Sequence, residues 1–312
     1  LEWFNNQRDR ILIQQQGSTP DSSGIASLLP PTNFGSMTNS GYEFNIAYSG
    51  GDSNYSNPNG FRYTIGLNGG YSKNEIEFID EVSGAPEWQL REGKPLGAYL
   101  LYETDGVFYD QSEIDANAVD YSQVTPQLRP GDLRLVDYDG NGKIDADDQV
   151  RQEDSFTPRL QYGITLDMSY KNFDLSILFQ GSQGGLTTLF NGEFGDWGNY
   201  YKYQHDNRWS IDNPSREHPR LASRGDTWYT DGGYGNNTYN YGSTDYLRLK
   251  NIELGYNLPQ NVFGQGFISN VRFYASGLNL LTFTEFDMSD PEIANRTYPL
   301  SKVWNLGVRI NF

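Results

Sequence analysis

The sequence predicts an all-β fold whose antiparallel strands have the patterning and length of a transmembrane β-barrel. Three observations support this fold class. Apolar and polar residues alternate in many segments, aromatic residues make up 15% of the chain beside 34 glycines, and two connections between the segments are unusually long. Alternation with a period of two is typical of strands with one apolar face. Short turns on one side and long loops on the other are typical of outer-membrane barrels.

The alternating segments define the predicted strands in chain order. They are 42–48, 61–67, 162–168, 173–179, 246–256, 271–283 and 304–312. Residues 169–172 alone separate the third from the fourth, which predicts a hairpin with a tight turn. In the fifth, the apolar parity changes between Leu249 and Ile252, so we expect a β-bulge near Asn251. Many segments approach the roughly nine to eleven residues that a tilted membrane-crossing strand requires.

Two long connections separate the strands and cover 110–158 and 181–244. Compact soluble domains rarely contain loops of this length. We therefore predict that both are extracellular loops of a β-barrel segment that comprises residues 1–312. The best helical periodicity, around 111–119, lies inside the first loop and is short.

Composition excludes several classes of function. The net charge of −17 argues against nucleic acid, because a phosphate backbone is bound by clustered Lys and Arg. Cysteine is absent, which removes disulfides and thiolate chemistry. The two histidines, His205 and His218, form neither a zinc-protease motif nor an evident triad. The sequence therefore predicts no enzyme.

The sharpest local motif is a twelve-residue acidic loop at 137–148, DYDGNGKIDADD. Oxygen-bearing side chains occupy its positions 1, 3, 5, 9 and 12, and a glycine occupies position 6. Position 7 offers a backbone carbonyl. This spacing is that of a calcium-binding loop. The candidate ligands are Asp137, Asp139, Asn141, Lys143, Asp145 and Asp148. Position 12 is Asp rather than the usual Glu, and no helix is expected beside the loop. The alternative is an acidic turn without a metal.

Aromatic residues in the second long loop are candidates for ligand or partner contact, because flat rings stack on sugars and anchor protein interfaces. They are Trp197, Tyr200, Tyr201, Tyr203, Trp209, Trp228 and Tyr229. Polar neighbours that could hydrogen-bond a glycan or a peptide are Asp196, Asp206, Asn207, Arg208 and Arg220. Packing within the loop is an equally good explanation for any single ring.

Four stretches of the sequence carry a family resemblance. They are GSMTNSGYEF at 35–44, LRLKNIELGYNLP at 247–259, VRFYASGLNLLTF at 271–283 followed by DPE at 290–292, and YPL at 298–300 before the last strand. These stretches resemble the SusC/RagA-like family of TonB-dependent outer-membrane transporters. Together and in this order they are specific. The resemblance implies that the chain is the C-terminal part of a barrel of about 22 strands.

The resemblance also implies partners. We expect an N-terminal plug and barrel portion, TonB acting through that portion, a SusD-like surface lipoprotein, the lipid bilayer, and uptake of oligosaccharides or peptides. The chain begins at Leu1 in strand-like sequence without a signal segment, and we expect the remaining strands to be supplied from elsewhere. The alternating last strand, with Trp304, Leu306, Val308, Ile310 and Phe312, resembles a barrel-assembly signal.

A second hypothesis remains open from the sequence. A soluble, exported β-sandwich that binds calcium and carbohydrate would show the same alternation and the same acidic loop. The two hypotheses differ in what covers the apolar faces of the strands. A sandwich packs them against a second sheet, whereas a barrel exposes them to lipid.

Overall fold

The computed structural model describes residues 1–15, 17, 19, 24, 25, 28–53, 59–189, 202–221, 236–259, 262, 267–286, 290–293 and 300–312. Among these residues, no helix is long and apolar enough to cross a membrane.

One eight-stranded antiparallel sheet dominates the described chain. Its strands are β1 (Glu2–Ile13), β2 (Thr32–Gly51), β3 (Phe61–Phe78), β8 (Leu160–Tyr170), β9 (Phe173–Gln183), β12 (Tyr246–Asn257), β13 (Asn270–Phe283) and β14 (Val303–Asn311). They pair in this chain order, each with the next. A meander of this kind is what consecutive antiparallel strands form when each one folds back on the last.

The remaining elements are short and lie in two large connections. The first, between β3 and β8, carries β4 (Leu100–Tyr102), β5 (Thr104–Val107), α1 (Gln111–Ala116), β6 (Leu133–Leu135) and β7 (Gln149–Arg151). The second, between β9 and β12, carries β10 (Leu186–Thr188), α2 (Lys202–Asn207) and β11 (Tyr241–Ser243). The short helical stretch that the sequence predicts around 111–119 is confirmed as α1, and the structure adds β6 and β7 within the predicted loop 110–158.

The register of the sheet separates apolar from polar residues along its width. One row of directly opposite residues runs Tyr48, Ile65, Leu166, Ile177, Ile252, Gly277 and Trp304. The adjacent row, on the other face, runs Ser49, Thr64, Asp167, Ser176, Glu253, Ser276 and Asn305. Successive residues of a strand point to opposite faces, so the sheet has one apolar and one polar face.

The apolar face carries no covering layer among the described residues. Leu306 is 88% exposed and Trp304 is 75% exposed, and Ile46, Tyr48 and Leu254 are also exposed. Soluble monomers rarely expose contiguous apolar area of this extent. This exposure contradicts the soluble β-sandwich hypothesis, because no second sheet formed by the described residues buries these side chains.

Two local predictions are confirmed in the sheet. The hairpin between β8 and β9 turns at Lys171 and Asn172, and Lys171 adopts a positive φ of 53°. The expected bulge lies at Lys250, where β12 shifts register between Leu249 and Asn251 against both of its neighbours. An extra residue in one strand changes the parity of the residues after it, which is why the alternation of the sequence slips there.

A hydrophobic core of buried side chains lies outside the sheet, in the first connection. It comprises Tyr102, Val107, Phe108, Tyr121, Val124, Leu133, Leu135 and Ile144. Trp209 and Tyr239 of the second connection pack against it. We call this assembly the loop body. It is held by ordinary side-chain burial, whereas the sheet is held by its hydrogen-bonded ladder.

A lysine placed on each face of β14 tests the assignment of the faces. We expect Leu306→Lys to oppose insertion into phospholipid bilayers by up to about 2–4 kcal/mol, because a charge would enter the hydrocarbon. Asn305→Lys adds the same charge to the polar face and is the control. The measurement is the folded fraction after refolding of the complete barrel into vesicles. Equal insertion of the two variants would contradict the assignment.

Candidate functional site

The acidic loop 137–148 lies at the edge of the loop body and brings three carboxylates together. One ligand oxygen each from Asp137, Asp139 and Asp148 lies within 4.8 Å of the other two. Gly142 has a φ of +84°, a left-handed conformation that permits the tight turn at position 6. Ile144, at position 8, is fully buried in the core of the loop body and anchors the loop.

The carboxylate of Asp148 is the buried one of the three. Its oxygens accept hydrogen bonds from the backbone N–H groups of Tyr138, at 2.7 Å, and Asp145, at 2.8 Å. Burial raises the pKa of Asp148, although these hydrogen bonds act in the opposite direction. Burial, together with Asp148 and Asp145, also raises the pKa of Tyr102 to about 12. The carboxylates of Asp145 and Asp148 therefore add to the effect of burial on Tyr102.

The other predicted ligands are placed differently. Asp145 pairs with the side-chain ammonium of Lys143 and accepts from the N–H of Asp147 at 2.9 Å. Asn141 donates its side-chain amide to Asp139 at 2.7 Å and accepts from the N–H of Lys143 at 2.9 Å. The structure thus brings together the carboxylates at positions 1, 3 and 12 of the loop. The carboxylate at position 9, Asp145, is instead neutralised by the ammonium of Lys143.

A short segment that sequence reasoning missed packs on the acidic loop. The indole N–H of Trp88 donates to the carbonyl of Asp147 at 2.7 Å, and the side-chain amide of Gln89 donates to the carbonyl of Ala146 at 2.6 Å. The rings of Trp88 and Tyr138 lie 5.2 Å apart. Residues 86–90 contain no motif, so only the tertiary structure shows that they support the loop.

Most of the aromatic candidates fall outside the described residues, namely Trp197, Tyr200, Tyr201, Trp228 and Tyr229, as does the polar candidate Asp196. Tyr203 lies on α2, is exposed, and meets the ring of His218 edge to face. Trp209 instead packs on the loop body and donates its indole N–H to the carbonyl of Tyr109 at 2.9 Å. Only Tyr203 therefore presents an open face among the described candidates.

The polar candidates mostly bind other residues of the protein. Asp206 pairs with Lys202 and lies 3.2 Å from the imidazole of His205. Arg220 pairs with the buried Asp132 at 2.7 Å and so joins the second connection to the loop body. Asn207 and Arg208 donate to backbone carbonyls of α2, at Tyr203 and His205.

The polar face of the sheet borders a cavity of about 1140 Å³. Its wall comes from β1, β2, β3, β8, β9 and β12, and residues 156–159 and 290–293 border it from the connections. It was not predicted, because its residues are distant in sequence and share a wall only through the register. We call it the lumen cavity.

An ion network at the bulge holds the segment 290–292 against the polar face. Arg248 is 1% exposed and donates to Asp290 at 2.7 Å and to Glu292 at 2.6 Å. Lys250 contacts both carboxylate oxygens of Glu292, at 2.8 and 2.9 Å. A buried arginine is tolerated only with such partners. The bulge therefore presents Lys250 to the same carboxylate that Arg248 binds.

The residues of the predicted assembly signal lie on β14 and beyond its end. Trp304, Leu306, Val308 and Ile310 share the apolar face and are all exposed. The ring of Phe312 lies 5.2 Å from that of Phe267, in the turn between β12 and β13.

Comparison with characterised sequences finds relatives over nearly the whole chain, although no family model matches it. The chain is 31% identical to TonB-dependent receptor P3 of Formosa agariphila over 94% of its own length and 30% of the relative's. It is 28% identical to TonB-dependent receptor P26 of the same organism over 100% of its length and 32% of the relative's. It thus spans about a third of these relatives, which are receptors and not enzymes.

Solved structures show the same fold. The RagAB peptide importer in its open-open state matches with a TM-score of 0.66 at 24% identity, over 99% of this chain and 32% of that one. A second RagAB peptide transporter structure matches with a TM-score of 0.64 at 23% identity, over 99% of this chain and 33% of that one. The eight-stranded sheet is therefore part of a large antiparallel β-barrel.

Removal of the buried carboxylate should loosen the acidic loop. We expect Asp148→Ala to destabilise the loop by about 2 kcal/mol, because the N–H groups of Tyr138 and Asp145 lose their acceptor. Hydrogen exchange of the amides of 137–148 and protease cleavage within the loop measure the effect. Asp147→Ala removes the exposed neighbouring carboxylate and should change neither. Unchanged protection in Asp148→Ala would contradict the structural role.

Proposed function

Because the chain belongs to the TonB-dependent receptor family, of whose full length it spans about a third, we propose that it is the wall of an energy-dependent importer of the bacterial outer membrane. Lipid contacts its apolar face and the translocation lumen lies on its polar face. The single observation that carries this proposal is the separation of the two faces across eight strands.

The remaining parts of the importer belong to the same proposal. An N-terminal plug and further strands complete the barrel and couple it to TonB, and a SusD-like lipoprotein covers the outer mouth. The substrate class is oligosaccharides or peptides. The similar solved structure is that of the RagAB peptide importer. This likeness supports a SusC/RagA-like transporter that works with a partner protein.

The direction of the chain in the membrane is inferred from the lengths of the connections. The turn of Lys171 and Asn172 is short, whereas the connections 79–159 and 184–245 are long. Barrels of this kind have short periplasmic turns and long outer loops. The loop body, with its own core, therefore stands on the outer surface and rises above the lumen cavity.

We further propose that the acidic loop 137–148 binds Ca²⁺. The support is threefold: the spacing of the oxygen ligands, the convergence of Asp137, Asp139 and Asp148, and the left-handed Gly142. Ca²⁺ accepts carboxylate and carbonyl oxygens in flexible geometry, and sites in extracellular modules bind at about 10⁻⁴–10⁻³ M. The ion would neutralise the negative charges of the three carboxylates, which otherwise repel one another in the folded loop.

Uptake by cells tests the importer. We expect deletion of the gene for the complete transporter to abolish growth on its nutrient, and re-expression to restore growth only when TonB is intact. Fluorescently labelled oligosaccharide and peptide mixtures serve as probes, and accumulation inside the outer membrane is measured. Uptake of both mixtures at the parental rate in the deletion strain would contradict the proposed function.

Calorimetric titration tests the calcium loop. We expect the complete transporter to take up Ca²⁺, and Asp137→Asn with Asp139→Asn to weaken binding roughly tenfold or more, since two anionic ligands are lost. Asp115→Asn, on α1 of the same loop body, is the matched control and should bind as the native protein does. No heat of Ca²⁺ binding in the native transporter would overturn the proposal.

A further inference from the structure

The buried hydroxyl of Ser182 has no hydrogen-bond partner among the described residues, although its side chain lies on the polar face of β9 and lines the lumen cavity. Ser182 is only 6% exposed. Its strand lies in the middle of the sheet, with β3 and β8 on one side and β12 and β13 on the other. A hydroxyl withdrawn from water without a partner is costly, and a bound group that supplies the hydrogen bond recovers this cost.

Two further polar side chains flank Ser182 in one row across the sheet. Gln161 of β8 and Tyr246 of β12 are its directly opposite neighbours, and all three line the cavity. Gln161 is exposed, and within the described chain its side-chain amide makes no hydrogen bond. The hydroxyl of Tyr246 accepts from the amide of Gln180 at 3.2 Å and keeps its own hydrogen for a further acceptor. Neighbouring strands lie about 4.8 Å apart, so one ligand can reach all three groups.

A flat apolar side chain borders the same part of the cavity. Phe156 lies in the segment that leads into β8, is 45% exposed and lines the cavity. This segment is tied to the connection after β9, because the N–H of Leu186 donates to the carbonyl of Ser155 at 2.8 Å. A Cβ added to Gly185 would lie 3.6 Å from the carbonyl oxygen of Phe156, so the two segments pack directly on each other. Phe156 is therefore held at the outer end of β9, where Ser182 also lies. The name rim subsite denotes Phe156, Gln161, Ser182 and Tyr246.

The charged side chains around the rim subsite are neutralised in pairs. On β3, β8, β9, β12 and the described connections, the charged residues that line the cavity are Arg159, which pairs with Asp154 at 2.6 Å, and those of 290–292, which the ion network of the bulge binds. Glu2 and Glu43 lie opposite each other on β1 and β2, three or more strands from β9. The rim subsite therefore complements an uncharged ligand.

The rim subsite lies at the outer end of the wall in the proposed orientation of the barrel. Ser182 is one residue from the end of β9, and Gln161 is one residue from the start of β8, where both strands continue into the long connections. The short turn at Lys171 and Asn172 lies at the opposite end. A substrate that arrives from outside therefore meets this subsite before it meets the deeper rows of the lumen.

We propose that the rim subsite binds a sugar ring of an uncharged oligosaccharide. This inference rests on the proposed import function and names the substrate class of the lumen cavity. Sugar hydroxyls both donate and accept hydrogen bonds, as do the amide of Gln161 and the hydroxyls of Ser182 and Tyr246. The apolar C–H face of the sugar packs on the ring of Phe156. A peptide with charged side chains would meet no opposite charge at these four residues.

Matched probes test the proposal on the complete, purified transporter. The probes are short uncharged oligosaccharides built from glucose, galactose, mannose or xylose, and an acetylated and amidated pentapeptide of alanine. We expect at least one of the oligosaccharides to bind and the alanine peptide not to displace it. The affinity should not change as salt is raised, because no ion pair forms.

Variants of the rim subsite locate the binding. Ser182→Ala should weaken the binding of that oligosaccharide about twofold to tenfold, which corresponds to the loss of one hydrogen bond. Phe156→Leu keeps an apolar side chain but removes the flat ring, and should also weaken binding. Ser176→Ala is the matched control and should bind as the native protein does. Ser176 lies on the same face of β9, donates to Asp167 at 2.7 Å and does not line the cavity.

The melting temperature separates ligand binding from a structural contact. Because the hydroxyl of Ser182 has no partner in the described wall, Ser182→Ala should leave the melting temperature of the ligand-free transporter unchanged or slightly raised. If the plug or another part of the transporter completed this hydroxyl, Ser182→Ala would lower the melting temperature and leave the affinity for the oligosaccharide unchanged.

Four outcomes would overturn the inference. They are binding of none of the oligosaccharides, their displacement by the alanine peptide, native affinity in both Ser182→Ala and Phe156→Leu, and a lowered melting temperature of Ser182→Ala with unchanged affinity. Uptake of peptides alone would remove this inference and leave the proposed import function standing. Absence of uptake of both peptides and oligosaccharides would remove that function as well.

Discussion

Antiparallel pairing in a consistent register is the constraint on which this structure depends. The register between two neighbouring strands decides which side chains of the second strand share a face with those of the first. A shift of one residue in one pairing would therefore place polar side chains on the apolar face in every later strand. The rows through Ile65 and Thr64 keep their character across seven strands. Among the described residues no protein layer covers the apolar face, and the proposed contact with lipid would cover it. The hydrogen-bonded ladder of the backbone supplies the internal order of the sheet.

The bulge at Lys250 is compatible with that constraint because both neighbouring strands accommodate it. Its effect is local and chemical. It brings an ammonium beside the buried guanidinium of Arg248 and so completes the binding of Glu292. These ion pairs hold the segment 290–292 at the lumen cavity. The bulge in β12 therefore affects the shape of the cavity.

The loop body is stabilised in the opposite way from the sheet. It has a buried core, a salt bridge between Arg220 and Asp132 that joins its two connections, and an acidic loop anchored by Ile144. Apolar burial of this kind gives the two connections a defined shape, which long polar loops lack. At the proposed outer mouth of the barrel, a defined shape would suit selection of a substrate, and the proposed Ca²⁺ would strengthen it.

Alternation by itself determined the all-β class, the β8–β9 hairpin and the bulge near Asn251, because the period of two and its phase are local properties of the chain. The acidic motif at 137–148 was likewise identified by its spacing. Only the tertiary structure decided three other contacts. They are the pairing of Glu2 opposite Glu43, the hydrogen bond from Trp88 to the acidic loop, and the ion pair of Arg248 with Asp290. These contacts join residues far apart in sequence, and their geometry depends on strand register and on loop packing, neither of which a local pattern encodes.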